Sequence, residues 1–277
     1  MSGGSLAAWQ QGLLRHGRLA QGVLLLSVPV IVALGLMRGV RGWIPAVVAV
    51  GIAAFALGGW LRWRRERVIR EAPLPQFLKR KLRETYPQLT QKDAALVERG
   101  LRQFFLACHR SRMRFVAMPS RVVDAMWHEF ILHTQAYREW CALALGHFLH
   151  HTPSEVLGAN AAHNDGLRRA WYWACKDEAI HPRQPTRLPL LFALDTKLAI
   201  ANGFHYVPDC RALFGARDAD GAPVHCATSF GDGSASGDAG GFGGEVSSDG
   251  GSAEGGGDGG GGGDGGCGGG GCGGGGD

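Results

Sequence analysis

The chain has 277 residues, with 29 basic and 24 acidic side chains and a formal net charge of +5. That average hides a division. All 29 bases lie in 1–217 against 14 acids, a charge of +15, whereas 218–277 carries ten acids and no base. No interleaved aromatic–basic pattern marks a nucleic-acid reader, and no nucleic-acid partner is expected.

Two uncharged stretches come first. Leu19 to Met37 lies between Arg18 and Arg38, and Gly42 to Leu61 lies between Arg41 and Arg62. At 1.5 Å per residue each helix would be roughly 28–30 Å long, the thickness of a hydrocarbon core. Only four residues separate them, so 19–61 is expected to form a transmembrane helical hairpin with the lipid bilayer as its partner. Pro29 and Pro45 are tolerated in such helices, and Trp43, Trp60 and Trp63 stand where aromatic belts lie. A cleaved signal peptide fits less well, because the lead of residues 1–18 is long and a second apolar span follows at once.

Arg62, Arg64, Arg65, Arg67 and Arg70 follow the second span, in a basic juxtamembrane linker assigned to 62–73. The positive-inside rule then puts both ends and the soluble domain in the cytoplasm. In a reducing compartment, the widely spaced Cys108, Cys141, Cys175, Cys210 and Cys226, with no CxxC, are expected to be buried thiols rather than a disulfide frame.

Residues 74–215 read as a compact helical soluble domain, so the fold class is all-α. Pro73 and Pro75 open a short helix through Arg83. Thr90 is the expected N-cap of a helix to about His109. Ser120 caps the next, whose apolar positions Val123, Met126, Trp127, Phe130, Ile131, Thr134, Tyr137 and Cys141 recur at three- and four-residue steps. Asn164 or Asp165 is expected to cap a helix to about Ala179. Pro189 opens the last one, and Gly203 is its expected C-cap. From 216 to 277 the chain is an acidic tail. Between Gly231 and Asp277, 27 of 47 residues are Gly, too little apolar area to offset roughly 1–2 kcal/mol of backbone entropy per residue, so disorder is expected. Cys267 and Cys272 in this tail make at most half a zinc site.

Met118 to Pro153 is the densest stretch, with five of the eleven histidines and two of the eight tryptophans. Its His128-Glu129-Phe130-Ile131-Leu132-His133 reads H-E-x-x-x-H. Zinc peptidases usually carry H-E-x-x-H, which stacks both imidazoles on one helix face. Five-residue spacing turns them about 140° apart on a regular helix. In that case His128 pairs with Asp124, and His133 with Glu129 or Tyr137. His147, His150 and His151 form a second group, and His147 and His151 would share a face if helix continued past Gly146. A cross-helix metal site would draw on His128, His133, His150, His151 and Cys141, with zinc as the candidate cofactor. There is no G-x-S-x-G and no Walker loop.

Trp127-His128, then Ile131, Leu132, Thr134, Tyr137 and Cys141, then Gly146, Phe148, His150, His151 and Pro153 carry a resemblance. With these the chain resembles the glycine-rich domain-containing proteins, mostly from bacteria, which share a W-H block with plant glycine-rich domain proteins. The resemblance implies a bacterial cell membrane and a helical unit over 74–210. It supplies no activity. Family members often show W-H-x-H and an Asp before the Thr, where Phe130 and His133 stand in this chain. The leading expectation is a membrane-anchored, non-enzymatic binding or scaffold protein, with a structural metal or an unidentified protein partner at 118–153. The alternative is a membrane-bound metal-dependent hydrolase, with His128 and His133 as ligands and Glu129 as base.

Overall fold

The computed structural model describes residues 8–39, 42–151, 161–208 and 224–226. The chain divides into Met1–Glu245 and Val246–Asp277. The second unit, with Cys267 and Cys272, lies outside the described residues, as does Cys210. The described part of the first is mostly helical.

Helix α1 (Ala8–Met37) and helix α2 (Trp43–Glu71) run as a hairpin. Both are long and apolar enough to cross a membrane. Their most apolar windows are only 6% and 11% buried, and Leu19, Leu26, Val30, Ile52 and Phe55 face outward. A soluble core helix would bury such residues. Toward the soluble end the two helices are pinned by polar contacts: Arg64 Nη2 donates to Gln10 Oε1 at 2.7 Å and Arg65 Nη2 to the Leu14 carbonyl at 3.0 Å. The basic stretch expected to be a linker is instead the last part of α2. Its Arg65 is buried, and Glu66 accepts both Arg110 Nε and Nη2, at 3.1 and 2.8 Å.

The soluble part is built on helix α4 (Gln91–Arg110), which follows the short α3 (Phe77–Thr85). Thr90 caps α4 as expected, in a reciprocal pair with Asp93. One face of α4 buries Val97, Leu101, Phe104, Phe105 and Cys108. Around it pack α3, α5 (Arg121–Leu132), α7 (Ala161–Asp177) and α8 (Leu190–Lys197), together with the soluble end of α2. Gln103, buried on another side of α4, accepts from Leu191 N–H at 2.9 Å and donates to Glu178 at 3.0 Å, tying α4 to the start of α8.

Several further sequence expectations need correction. The block is not one helix. It breaks at His133 (φ −87°, ψ 65°) into α5 and α6 (Thr134–Ala144), and Thr134, expected inward, is exposed. Helix α7 begins at Ala161, ahead of the expected cap. The domain also runs past 215, because β1 (His205–Val207) pairs in parallel with β2 (Val224–Cys226).

Gly203 is not the C-cap of α8, which ends at Lys197. It is small because Asp195 is there: a Cβ on Gly203 would stand 2.8 Å from Asp195 Cβ. Asp195 is buried and accepts four bonds. Ser120 Oγ donates at 2.7 Å, Arg121 N–H at 2.7 Å, Val122 N–H at 3.1 Å and Phe204 N–H at 2.9 Å. The first turn of α5 thus finds its acceptor on a remote helix, and a carboxylate there also opposes the positive end of the α5 dipole. Asp195→Ala leaves buried donors unpaired and is expected to lower stability by at least ~3 kcal/mol. Thermal unfolding of the detergent-solubilised chain, followed by tryptophan fluorescence, checks this. An unchanged midpoint would show that the cap carries no weight.

Candidate functional site

The break at His133 turns α6 back beneath α5. Trp127 Nε1–H then donates to the Tyr137 hydroxyl at 3.1 Å, and that hydroxyl donates to the Leu149 carbonyl at 2.7 Å. Phe130 meets Tyr137 edge-on, with ring centroids 5.2 Å apart. Helix α6 ends at Ala144, and Gly146 takes φ +73° while its N–H returns to the Cys141 carbonyl at 2.9 Å. Residues 147–151 therefore leave the helix and run back across α5, held midway by Tyr137.

That path delivers His151 to α5. His151 Nε2 lies 3.1 Å from Asp124 Oδ1, and His128 Nδ1 lies 3.4 Å from Asp124 Oδ2. The two imidazole rings are 4.2 Å apart between centroids, and Trp127 presents its edge or face to His151 at 4.7 Å. One ligand atom from each of Asp124, His128 and His151 falls within 4.8 Å of the others. His128 Nδ1 also lies 3.0 Å from the Asp124 carbonyl, a contact that fixes the ring. The three side chains line a pocket of about 650 Å³ whose other walls include Tyr86, Met118 and Tyr206.

The remaining candidates are distributed elsewhere. His133 caps α5, its Nδ1 lies 2.9 Å from the Glu129 carbonyl, and its ring stacks on Phe77 at 3.8 Å. Neither His133 nor Glu129 lines the pocket. The pairing of His133 with Glu129 is made, but through the backbone. Cys141 is fully buried on α6, and burial pushes its thiol up, against the Leu149 backbone and Tyr137, which lower it. A thiol held protonated in this way is a poor metal ligand. Cys108 is likewise buried and raised. His147 and His151 do not share a helical face. His147 turns toward the hairpin, where burial, backed by Arg18 and Arg65, lowers its imidazole. His150 lines the pocket but packs on Phe148 at 4.8 Å. Thr134 begins α6 on the exposed side.

Asp124 is the residue that sequence reasoning named only as a local partner of His128. Its signal was the four-residue spacing Asp-x-x-x-His, the same geometry that makes H-E-x-x-H a metal motif.

Residues 64–230 match a family described as UCP032817-like. The chain belongs to the UCP032817-like family. No curated protein and no solved structure matches the chain. The matched region begins within α2 and closes after β2, so it takes in the whole site and the last part of α2 while excluding α1.

Tyr137→Phe removes the acceptor for Trp127 and the donor for Leu149 in one step. A loss of roughly 1–3 kcal/mol is expected, with the His128–His151 contact loosened before the fold is lost. Chemical shifts of the histidine ring protons would report the contact, and thermal unfolding would report the stability. Unchanged histidine signals in Tyr137→Phe would remove Tyr137 from the positioning of the site.

Proposed function

We propose that this chain is a membrane-anchored helical binding protein whose soluble domain takes a zinc-class divalent metal at Asp124, His128 and His151. The observation that carries the reading is that one ligand atom from each of Asp124, His128 and His151 lies within 4.8 Å of the others, on the wall of a pocket. Zinc bonds of about 2.0–2.1 Å in a tetrahedron require donor–donor edges of roughly 3.3 Å. Imidazole and carboxylate ligands suit zinc, and a site with three protein ligands keeps one position open. That position would be offered to the pocket, where a side chain of a protein partner or a small ligand could complete it. The acidic glycine tail would serve as the tether or docking segment for that partner.

Binding is favoured over hydrolysis by the placement of the H-E-x-x-x-H residues. A hydrolase of that type needs both histidines on the metal and the glutamate beside its water. His133 is stacked on Phe77, and Glu129 stands outside the pocket. The hairpin would anchor the protein in a bacterial inner membrane with both termini and the soluble domain in the cytoplasm. Arginine counts support this orientation, as does the solvent-averse outer surface of α1 and α2.

Metal analysis of the full chain, purified in detergent and dialysed after zinc loading, tests the reading. About one zinc per chain is expected, lost in Asp124→Ala, His128→Ala and His151→Ala and retained in His133→Ala and Cys141→Ser. A metal-free wild type would end the metal reading, and loss in His133→Ala alone would return the assignment to H-E-x-x-x-H. Orientation has its own check. A reporter fused at the C-terminus should be active only in the cytoplasm, and activity only outside it would invert the topology.

A further inference from the structure

A second cavity lies where the hairpin meets the soluble domain, and it shares only His147 and Met113 with the pocket above. It measures about 370 Å³. Arg18 of α1, Arg62 and Arg65 of α2, and Arg112 just beyond α4 contribute its charge; no carboxylate lines it. Among the described residues no acidic side chain pairs with Arg18, Arg62 or Arg65. Neighbouring carboxylates are already engaged: Glu66 by Arg110, and Glu71 by Arg67. The positive charges of Arg18, Arg62 and Arg65 converge on one cavity, an arrangement that favours an anion there.

Arg65 makes the site more than a basic surface. Its side chain is only 6% exposed, and its Nε–H has no hydrogen-bond partner. One terminal nitrogen is committed to the Leu14 carbonyl, and the guanidinium is packed close against Gly146. A Cβ at Gly146 would fall 2.3 Å from Arg65 Nη2. The glycine therefore serves two purposes, a left-handed turn and room for the arginine. Two imidazoles complete the lining. Burial pushes His109 down to about 4, and its ring hydrogen-bonds the Arg62 backbone, which fixes it in the wall of the cavity.

The location decides the ligand class. Arg18 immediately precedes the first apolar stretch, and Arg62 immediately follows the second. Both helix ends stand side by side, since Trp9 stacks on Trp60 with centroids 6.2 Å apart. The cavity is therefore level with the headgroup layer of any bilayer the hairpin crosses, and Phe55, Leu61 and Leu145 give it an apolar side. We infer that this cavity binds a phosphoryl group at the membrane surface, held by Arg18, Arg62 and the buried guanidinium of Arg65. Arginine forks match the geometry of phosphate oxygens, and basic pockets at helix ends on the cytoplasmic side hold anionic headgroups. The phosphoryl group has two sources, an anionic phospholipid or soluble phosphate. The lipid source rests on the membrane reading above; the soluble source does not. Neither depends on the metal site.

The test uses the full chain in a neutral detergent. Native mass spectrometry counts phosphatidylglycerol retained against phosphatidylcholine, and calorimetry measures inorganic phosphate. The variant Arg18→Gln/Arg62→Gln changes two exposed residues. Arg15→Gln/Arg67→Gln removes the same charge from the same helices outside the cavity. If a headgroup is the source, wild type retains phosphatidylglycerol over phosphatidylcholine, and the cavity variant loses about tenfold or more while the control stays within about twofold. If soluble phosphate is the source, the calorimetric arm shows the same dependence and the lipid arm shows none. Equal effects in the cavity variant and the control, in both arms, would overturn the proposal, because they would reduce it to general surface charge.

Discussion

The hydrogen bond from Trp127 to Tyr137 sets the geometry on which the candidate metal site depends. Ten residues separate the two. On a straight helix that is a rise of about 15 Å, with the side chains on different faces, so no hydrogen bond between them would form. At 3.1 Å it therefore requires the reversal at His133. The reversal is favourable because it lets two apolar faces share one core. Val123, Met126 and Phe130 of α5 and Tyr137, Trp140 and Cys141 of α6 all become buried. Leu132 is left 72% exposed at the corner, a small cost beside the area buried. Once Tyr137 is beneath Trp127, its hydroxyl has one donor left. It uses that donor on Leu149, and so decides where residues 147–151 run.

That short segment links the two candidate sites. Its start is held at Gly146, against Arg65 and the hairpin; its middle is held by Tyr137; its end is held by Asp124 through His151. Helix α5, on the other side of the site, is fixed at its first turn by Asp195. The Asp124–His128–His151 cluster thus stands between two buried polar anchors, each satisfied by groups distant in sequence. Buried polar networks of this kind specify a position better than apolar packing does, because a shifted register leaves donors unpaired. The pocket can stay open without collapsing for the same reason.

How much of this was legible varies with the range of the interaction that decides it. Thr90 capping α4 and Ser120 capping α5 are local, and both stand in the sequence as caps ahead of an apolar period. The two apolar helices declare themselves by length. The break at His133 does not, because Phe130, Thr134, Tyr137 and Cys141 keep helical spacing straight through it. No Gly or Pro marks the corner; tertiary packing bends the chain where local preference is silent. The helical arithmetic that turned His128 away from His133 assumed an unbroken helix, yet the two still do not meet, for another reason: His133 caps the end of α5. Likewise Gly203 had the composition of a C-cap, while its actual role is to let Asp195 approach, a contact that periodicity does not encode.

The pairing of His128 with His151 illustrates the same limit from the opposite side. Both histidines were visible, and so was Asp124 at the four-residue spacing, but two of those three residues also have an ordinary local explanation. An aspartate one turn before a histidine is a common surface pair, worth only a few tenths of a kcal/mol. What the fold adds is the third member, brought across 23 positions and pressed edge-on against Trp127. Such a pair gains little stability from a second imidazole, since Asp124 is partly exposed and already has a partner. Core packing does not require His128 either, because half of its side chain is in solvent. Asp124 and His151 anchor the 147–151 segment, whereas His128 adds a third donor within 4.8 Å on the wall of a pocket, where the fold itself does not require it.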